Sequence, residues 1–296
     1  MSLVDFLLNV AALVMWVSWR GIRGTEAAGT AGTILGNLRA AGIERPRRWP
    51  YLAWLVALLL LRAVLYRQMG PNLGWHPPWS LGPATLVFRS DSFPRMLAFS
   101  GLGFLSTLLF WYTGLAAILA IHRSPTDRDG ITRALRRQAP WLSRWPGWLL
   151  LLLVAAGAGL AWLVIGTVAA RSGLLPPLRG ERHLVQQALV VAAGQGCVLR
   201  WWIAVLLGLH FVHLYVHLGN QVLWEFVQNT GLKLCKPFAF LRAGHFDASP
   251  LAALVFYWGL LTWIGHGLPG LRPFLPGMPD WVEYGFLPYV LRNLPY

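Results

Sequence analysis

Three histidines with helical spacing stand near the end of an apolar stretch, LHFVHLYVHLG. Steps of three and four residues place His210, His213 and His217 within about 60° of one another on one helix face. Imidazole ligates haem iron axially, so all three are candidates for binding a haem cofactor. His213 and His217 also have the i, i+4 spacing that lets two imidazoles bind one metal ion.

Two other interpretations of this histidine face stay open. Polar side chains in a membrane-spanning helix are costly and usually face the protein interior or water. The three histidines therefore form either a structural polar seam between helices or the lining of a path for protons or ions. Other histidines are available to complete a site, but the sequence does not fix their distance from the face: His122, His183, His245 and His266.

The elements that must position these residues are six long apolar runs. A helix needs about 20 apolar residues to cross a hydrocarbon core of roughly 30 Å, and four of the runs reach or approach that length. The sequence predicts an all-α fold, a polytopic membrane helical bundle of about six transmembrane helices in one integral membrane domain over 1–296. The predicted spans are Leu3–Trp19, Pro50–Tyr66, Met96–Ile121, Pro146–Ala170, Val198–Leu218 and Pro250–Leu268.

Composition and charge support a membrane protein. Hydrophobic residues make up 56% of the chain and charged residues only 12%, against about 25% charged in soluble domains. The net charge of +14 comes from short loops rather than from a separate basic domain, so we expect contact with membrane lipids and none with nucleic acid. Fifteen of the 25 Lys and Arg residues follow the first, third and fifth runs, and eight follow the others. Because positive charge marks cytoplasmic loops, this uneven distribution predicts that both termini lie outside the cytoplasm.

Two loops have the pattern of amphipathic helices that lie at the membrane surface, with one apolar and one polar face. A third segment, Leu184–Cys197, either extends the fifth run into a long helix or forms an interfacial or re-entrant helix. The apolar tail over 269–296 is expected to lie on the membrane surface or to pack on a partner. The apolar positions of the two loops are Ile34, Leu35, Leu38 and Ala41, and then Val222, Leu223, Phe226, Val227 and Thr230.

Charged residues inside or beside the runs are few. Arg62 and Arg200 are interpreted as anchors that extend to the membrane surface, with a substrate site as the alternative. Asp5 and Glu225 lie near span ends, where water or a basic neighbour would satisfy them. Cys197 and Cys235 have no metal-ligand spacing and are predicted to be ordinary small side chains.

The sixth run begins with a defined local motif, Asp247-Ala248-Ser249-Pro250. Ser249 is a candidate N-cap, since its hydroxyl can accept a hydrogen bond from a backbone N–H that has no partner in the helix. Pro250 fits the first helical position, where no donor is needed. The carboxylate of Asp247 adds negative charge near the positive end of the helix.

With Lys236-Pro237 and a short basic turn before it, this motif resembles the YggT family. The resemblance covers about 211–261 well and 3–66 weakly, whereas 68–182 departs from the family pattern. Only Pro237, Asp247, Ser249 and Pro250 match, and the family assigns them no chemistry. The resemblance implies an integral protein of a bacterial or plastid membrane, of a family linked to cytochrome-complex maturation, division and osmotic tolerance, with no established enzyme among its members.

The sequence therefore predicts a protein that is not an enzyme, because no phosphate-binding loop, nucleophile elbow or paired carboxylates occur in a suitable context. We expect a scaffold, assembly factor or subunit of a larger complex in the bacterial inner membrane, with other integral membrane proteins as partners. The alternatives are a channel or transporter, or a membrane subunit that binds haem or a metal through His210, His213 and His217. No cofactor is firmly predicted.

Overall fold

A computed structural model describes residues 2–26, 49–81, 84–122, 131–132, 135–136, 145–173, 181–216, 222–243, 246–267, 282 and 285–293. Most of these residues are helical, which confirms the predicted all-α fold. The helices are α1 (Ser2–Glu26), α2 (Trp49–Met69), α3 (Phe93–Ile121), α4 (Gly147–Arg171), α5 (Glu181–Cys197), α6 (Leu199–Tyr215), α7 (Val222–Cys235), α8 (Ser249–His266) and α9 (Phe286–Asn293).

The short strands form two small sheets. Strands β1 (Pro78–Leu81) and β2 (Ala84–Val87) pair with each other, and so do β3 (Arg242–Ala243) and β4 (Phe246–Asp247). The second pair is antiparallel, with Arg242 opposite Asp247. Two 3-10 turns, Pro71–Leu73 and Lys236–Leu241, precede these sheets.

Five helical segments in the described part of the chain are long and apolar enough to cross a membrane. This supports a multi-pass membrane protein. The sixth predicted span forms α8, which is a helix of 18 residues but is not among the five, since it opens with serine and proline and carries tyrosine, tryptophan and histidine. The five segments are Leu3–Arg20, Trp49–Met69, Phe93–Ile121, Gly147–Arg171 and Leu184–Tyr215.

The segment 184–197 forms most of α5 and continues almost directly into α6. Only Val198 separates the two helices, and its backbone is itself in the right-handed helical region, with φ −63° and ψ −25°. Of the two predictions for this segment, the structure therefore favours the extension of the fifth run. The combined segment has 32 residues, which is longer than the roughly 20 that a hydrocarbon core requires.

The chain divides into two compact units. The first contains α1, α2 and α3 as far as Leu108. Its core joins these three helices through Ala12, Leu55 and Phe104, which are all buried. The hydroxyl of Ser100 donates to the backbone oxygen of Leu59 at 3.0 Å and adds a polar contact between α3 and α2.

The second unit contains α3 from Leu109 onward and α4 to α9. Helices α4 and α5 pack closely, since a Cβ at Gly159 would lie 3.0 Å from the backbone oxygen of Ala188. Gly159 thus makes the close approach that its small-residue spacing with Ala155 suggests. A second core joins α3, α6, α7 and α8 through Ile118, Leu206, Leu207, Phe226, Val227, Leu234, Cys235 and Ala253.

Helix α7 is one of the two predicted amphipathic helices, and its apolar face packs on protein. Phe226, Val227 and Thr230 are buried as expected, but Val222 and Leu223 are exposed. The prediction that this whole face lies against lipid is therefore wrong for its buried part, because α6 and α3 cover it. The other predicted amphipathic segment, 34–41, lies outside the described residues.

The structure also bears on the predictions for the two cysteines and for the tail. Cys197 and Cys235 are buried and are not joined by a disulfide, which agrees with their interpretation as ordinary side chains. The described part of the tail, α9, packs on the protein itself, with the ring of Phe286 6.4 Å from that of Trp263 in α8. The predicted contact of the tail with the membrane surface or a partner stays a prediction.

Candidate functional site

His210 is fully buried in α6 and faces α7. Its ring lies directly over Gly231, where a Cβ atom would collide with the imidazole. The glycine therefore supplies the space that the ring occupies. His210, a predicted candidate for haem or metal binding, therefore fills the space between α6 and α7.

His213 contacts the same neighbouring helix one turn later. Its ring is half-buried and stacks on Trp224, with ring centroids 5.5 Å apart and planes only 7° from parallel. His210 and His213 therefore both face α7, as a polar seam between helices requires. His217 lies outside the described residues, so the predicted metal pair His213 and His217 stays a prediction. No group of three or more metal-ligating residues forms among the described residues.

His122 contacts α7 from another direction, at the end of α3. It is fully buried and stacks on Phe226 with ring centroids 5.4 Å apart. Its Nε2 lies 2.7 Å from the hydroxyl of Thr230, and that hydroxyl donates to the backbone oxygen of Phe226 at 2.6 Å. Because a hydroxyl has one proton, Nε2 is the donor in the first of these bonds.

The other ring nitrogen of His122 faces a cation. Lys233 Nζ lies 3.3 Å from Nδ1, and an ammonium group can only donate. Nδ1 therefore accepts, which makes the ring neutral and fixes its tautomer. The hydrogen bonds run in one direction, from Lys233 through His122 and Thr230 to the backbone of α7.

The sequence indicated part of this contact. His122 is among the histidines that the sequence makes available, and Thr230 is on the apolar face of a predicted amphipathic helix, but 108 residues separate them. Arg136 adds a contact that no local pattern signals, since its guanidinium donates to the backbone oxygen of His122 at 2.6 Å. This bond caps the end of α3 with a positive charge, where the helix dipole favours one.

Arg62 corrects a prediction. Its side chain is only 2% exposed and pairs with Asp5 of α1, with Nη2 and Oδ1 2.6 Å apart. Nη1 donates to Asn9 at 2.7 Å, and the hydroxyl of Tyr66 also bonds to Asp5. Gly103 of α3 leaves room for the guanidinium, since a Cβ there would lie 3.1 Å from Nη2. Arg62 therefore does not extend to the membrane surface as an anchor, because its charge is neutralised inside the first unit.

Arg200 has different surroundings in the second unit. It is half-buried at the start of α6, and its Nη2 lies 3.5 Å from Nε2 of His266. Its guanidinium also lies over the rings of Trp201 and Trp258, at 5.8 and 5.7 Å from their centroids. This arrangement places two tryptophan rings beside the charge. The predicted role of Arg200 as a surface anchor stays a prediction, since Arg200 also lies near the middle of the segment Leu184–Tyr215.

The family motif at the start of α8 works differently from the prediction. The carboxylate of Asp247, rather than the hydroxyl of Ser249, takes the capping role, since Asp247 Oδ1 accepts from the Ser249 N–H at 2.9 Å. Ser249 is already in the helix, and its buried hydroxyl makes no hydrogen bond to the residues that the structure describes. Pro250 is the second helical residue and still needs no donor. Pro237 is exposed in the 3-10 turn.

The fold and these contacts define an all-α, multi-pass membrane protein in which the buried side chains of Arg62, His122 and His210 lie between helices. The chain matches no known family model, no curated protein and no solved structure. The resemblance to the YggT family therefore stays a prediction.

Proposed function

We propose that the protein is a non-catalytic integral membrane scaffold, assembly factor or subunit of a larger membrane complex. The observation that carries this proposal is the engagement of His210, whose ring fills the space over Gly231 between α6 and α7. A residue that lines a path or holds a cofactor needs open volume beside it. This ring instead packs against backbone, which supports a structural role for the histidine face.

Two other ionisable side chains, Arg62 and His122, support the same proposal. Arg62 is neutralised by Asp5, and the ring of His122 donates to Thr230. Polar groups in spans are expensive and are retained where they pair with one another or serve function. Here they stabilise contacts between helices, as a protein that holds other proteins in a fixed arrangement requires.

Lipid and other integral membrane proteins are the proposed partners, because large apolar side chains remain uncovered on the helices. Trp49 and Trp148 are 75% and 64% exposed, near the beginnings of α2 and α4. Tryptophan concentrates at the membrane interface, where its ring is apolar and its N–H is polar. By its resemblance to the YggT family and the charge of its loops, we place the protein in the bacterial inner membrane with both termini outside the cytoplasm.

Purification of the full chain from bacterial membranes in a mild detergent tests this proposal. We expect stable protein partners to co-purify, without a haem absorption band and without a stoichiometric metal. His210→Ala should lower the stability of the folded protein, because it leaves a cavity at Gly231. It should not lower the amount of bound cofactor.

His76→Ala is the matched control, since His76 is exposed and lies outside the histidine face. The proposal is wrong if the purified protein is free of partners and carries a haem band that His210→Ala removes and His76→Ala does not. Ion flux into liposomes that falls with His213→Ala but not with the control would favour the channel instead.

A further inference from the structure

The two arginines in the apolar helices differ in how their charge is balanced. Arg62 has Asp5 at 2.6 Å. Among the described residues, Arg200 takes part in neither of the ion pairs that the structure shows, which join Arg62 to Asp5 and Arg95 to Asp91. Its one hydrogen-bonding contact to a described residue is His266 Nε2 at 3.5 Å, and its Nε is shielded from solvent without a partner in the described part of the chain. A cation in apolar surroundings without a counter-charge favours the binding of an external anion.

The surroundings of Arg200 fit an anion that has an apolar part. Trp201 and Trp258 meet edge to face with centroids 4.9 Å apart, and the guanidinium lies over both rings. Beside these rings, the edge of the guanidinium formed by Nη1 and Nη2 keeps N–H donors that no described residue takes, and this edge is left for a ligand. That planar edge matches the spacing of two oxygens on one phosphate.

Two exposed apolar ridges lead away from this point in the same direction. Trp201, Val205 and Leu209 follow one another at intervals of four residues along α6, and they are 50%, 57% and 36% exposed. On α8, Val255 and Leu251 continue from Trp258, and they are 72% and 41% exposed.

The two ridges run side by side because α6 and α8 are antiparallel. Trp201 meets Trp258 at one end of the helix pair, and Tyr215 bonds to Asp247 at the other. The ridges therefore flank one continuous strip that begins at the arginine, as the acyl chain of a phospholipid would require.

We propose that Arg200, oriented by His266, binds the phosphate of an anionic phospholipid, with its acyl chain along the strip between α6 and α8. The guanidinium binds two phosphate oxygens, and the His266 ring orients it from the side. Inorganic phosphate has the same oxygens but no chain, so the two apolar ridges favour the lipid as the source of the phosphate.

Native mass spectrometry of the full chain in mild detergent, titrated with dioleoylphosphatidylglycerol, tests this site. We expect Arg200→Gln to weaken the binding of this lipid about tenfold or more, since a charge-assisted bidentate contact is lost. Arg171→Gln is the matched control, because Arg171 is exposed at the end of α4 and the charge change is the same. We expect its affinity to stay within about twofold of the wild type.

Two further titrations separate the sources of the phosphate. Dioleoylglycerol, which has the same chains without phosphate, should bind the wild type and Arg200→Gln equally weakly. Inorganic phosphate should bind far more weakly than the lipid. Stronger binding of inorganic phosphate than of the lipid, or equal losses in Arg200→Gln and Arg171→Gln, would overturn the proposal.

A second variant covers a failure of Arg200→Gln to fold. His266 is exposed, so His266→Ala should leave the fold intact while releasing the guanidinium from its neighbour. We expect this variant to bind phosphatidylglycerol about threefold more weakly. Wild-type affinity in a folded His266→Ala variant, together with wild-type affinity in a folded Arg200→Leu variant, would show that these side chains do not form the site.

Discussion

Asp5→Ala removes the carboxylate that neutralises Arg62, and we expect it to destabilise the first unit strongly. The arginine side chain is 2% exposed and would keep its charge without a counter-charge. Removing one partner of a buried ion pair costs about 3 to 5 kcal/mol. Asp5 is itself 24% exposed, which lets water reach the pair. We therefore place the loss at the lower end, about 3 kcal/mol, or roughly a hundredfold in the unfolding equilibrium constant.

Two variants in the same unit set the scale for this loss. Asn9→Ala removes only the 2.7 Å bond to Arg62 and leaves the ion pair, so we expect about 0.6 kcal/mol, as for other hydrogen bonds between membrane helices. Asp91→Ala breaks the exposed pair with Arg95 and should cost between about 0 and 1 kcal/mol. The measurement is unfolding of the purified protein by sodium dodecyl sulfate in mixed micelles, followed by near-ultraviolet circular dichroism.

The double variant Asp5→Leu/Arg62→Leu distinguishes the cost of an unpaired charge from the cost of losing the ion pair. Replacing both charges with apolar side chains removes the unpaired cation, so the double variant should be more stable than Asp5→Ala. The reasoning about a buried, internally neutralised arginine is refuted if Asp5→Ala costs no more than Asp91→Ala. It is also refuted if the double variant is less stable than Asp5→Ala.

Two smaller predictions use the same unfolding assay on the second unit. Gly231→Ala forces a Cβ into the buried imidazole of His210 and should cost about 1 to 3 kcal/mol. Gly208→Ala is the control, because its Cβ meets no atom within 4 Å and the change should be neutral or stabilising. Equal effects of the two variants would show that the helices separate freely. Asp247→Ala should cost about 1 kcal/mol, as the loss of a cap does, and Ser249→Ala should cost less than about 0.5 kcal/mol. The reverse order would restore serine as the capping residue.

The helices were predictable because their apolar runs are long and depend only on local composition. Phe93–Ile121 and Gly147–Arg171 match the predicted runs to within a few residues. The partners of polar residues were not predictable in the same way. Arg62 lies near the end of its run, where an arginine can extend to the surface, and nothing local indicates Asp5, which is 57 residues away.

At the start of α8, the sequence also could not predict which side chain forms the cap. Asp247 and Ser249 are both good capping residues, so the sequence favours a cap without deciding which side chain forms it. The choice depends on where the first helical turn begins, and the helix begins at Ser249 itself. Once serine is inside the helix, the carboxylate two residues earlier is the group that reaches its N–H.

Three contacts between helices of this protein pair a glycine with a large polar or aromatic side chain. Apolar helices in lipid gain little from apolar contact alone, so close approach and polar bonds set their register. Gly103 faces Arg62 in the first unit, and in the second unit Gly114 faces Trp202 and Gly231 faces His210.

In each of these pairs a Cβ on the glycine would press on the partner side chain, so the two helices fit in one register only. Each partner side chain is also polar or large, and such residues are uncommon within a span or are typical of its edge. The sequence shows both members of each pair, but not which glycine meets which side chain, because helix crossing points depend on the whole fold. A glycine change at one of these points should therefore shift a helix, and the same change at Gly101 or Gly208, where no atom lies within 4 Å, should not.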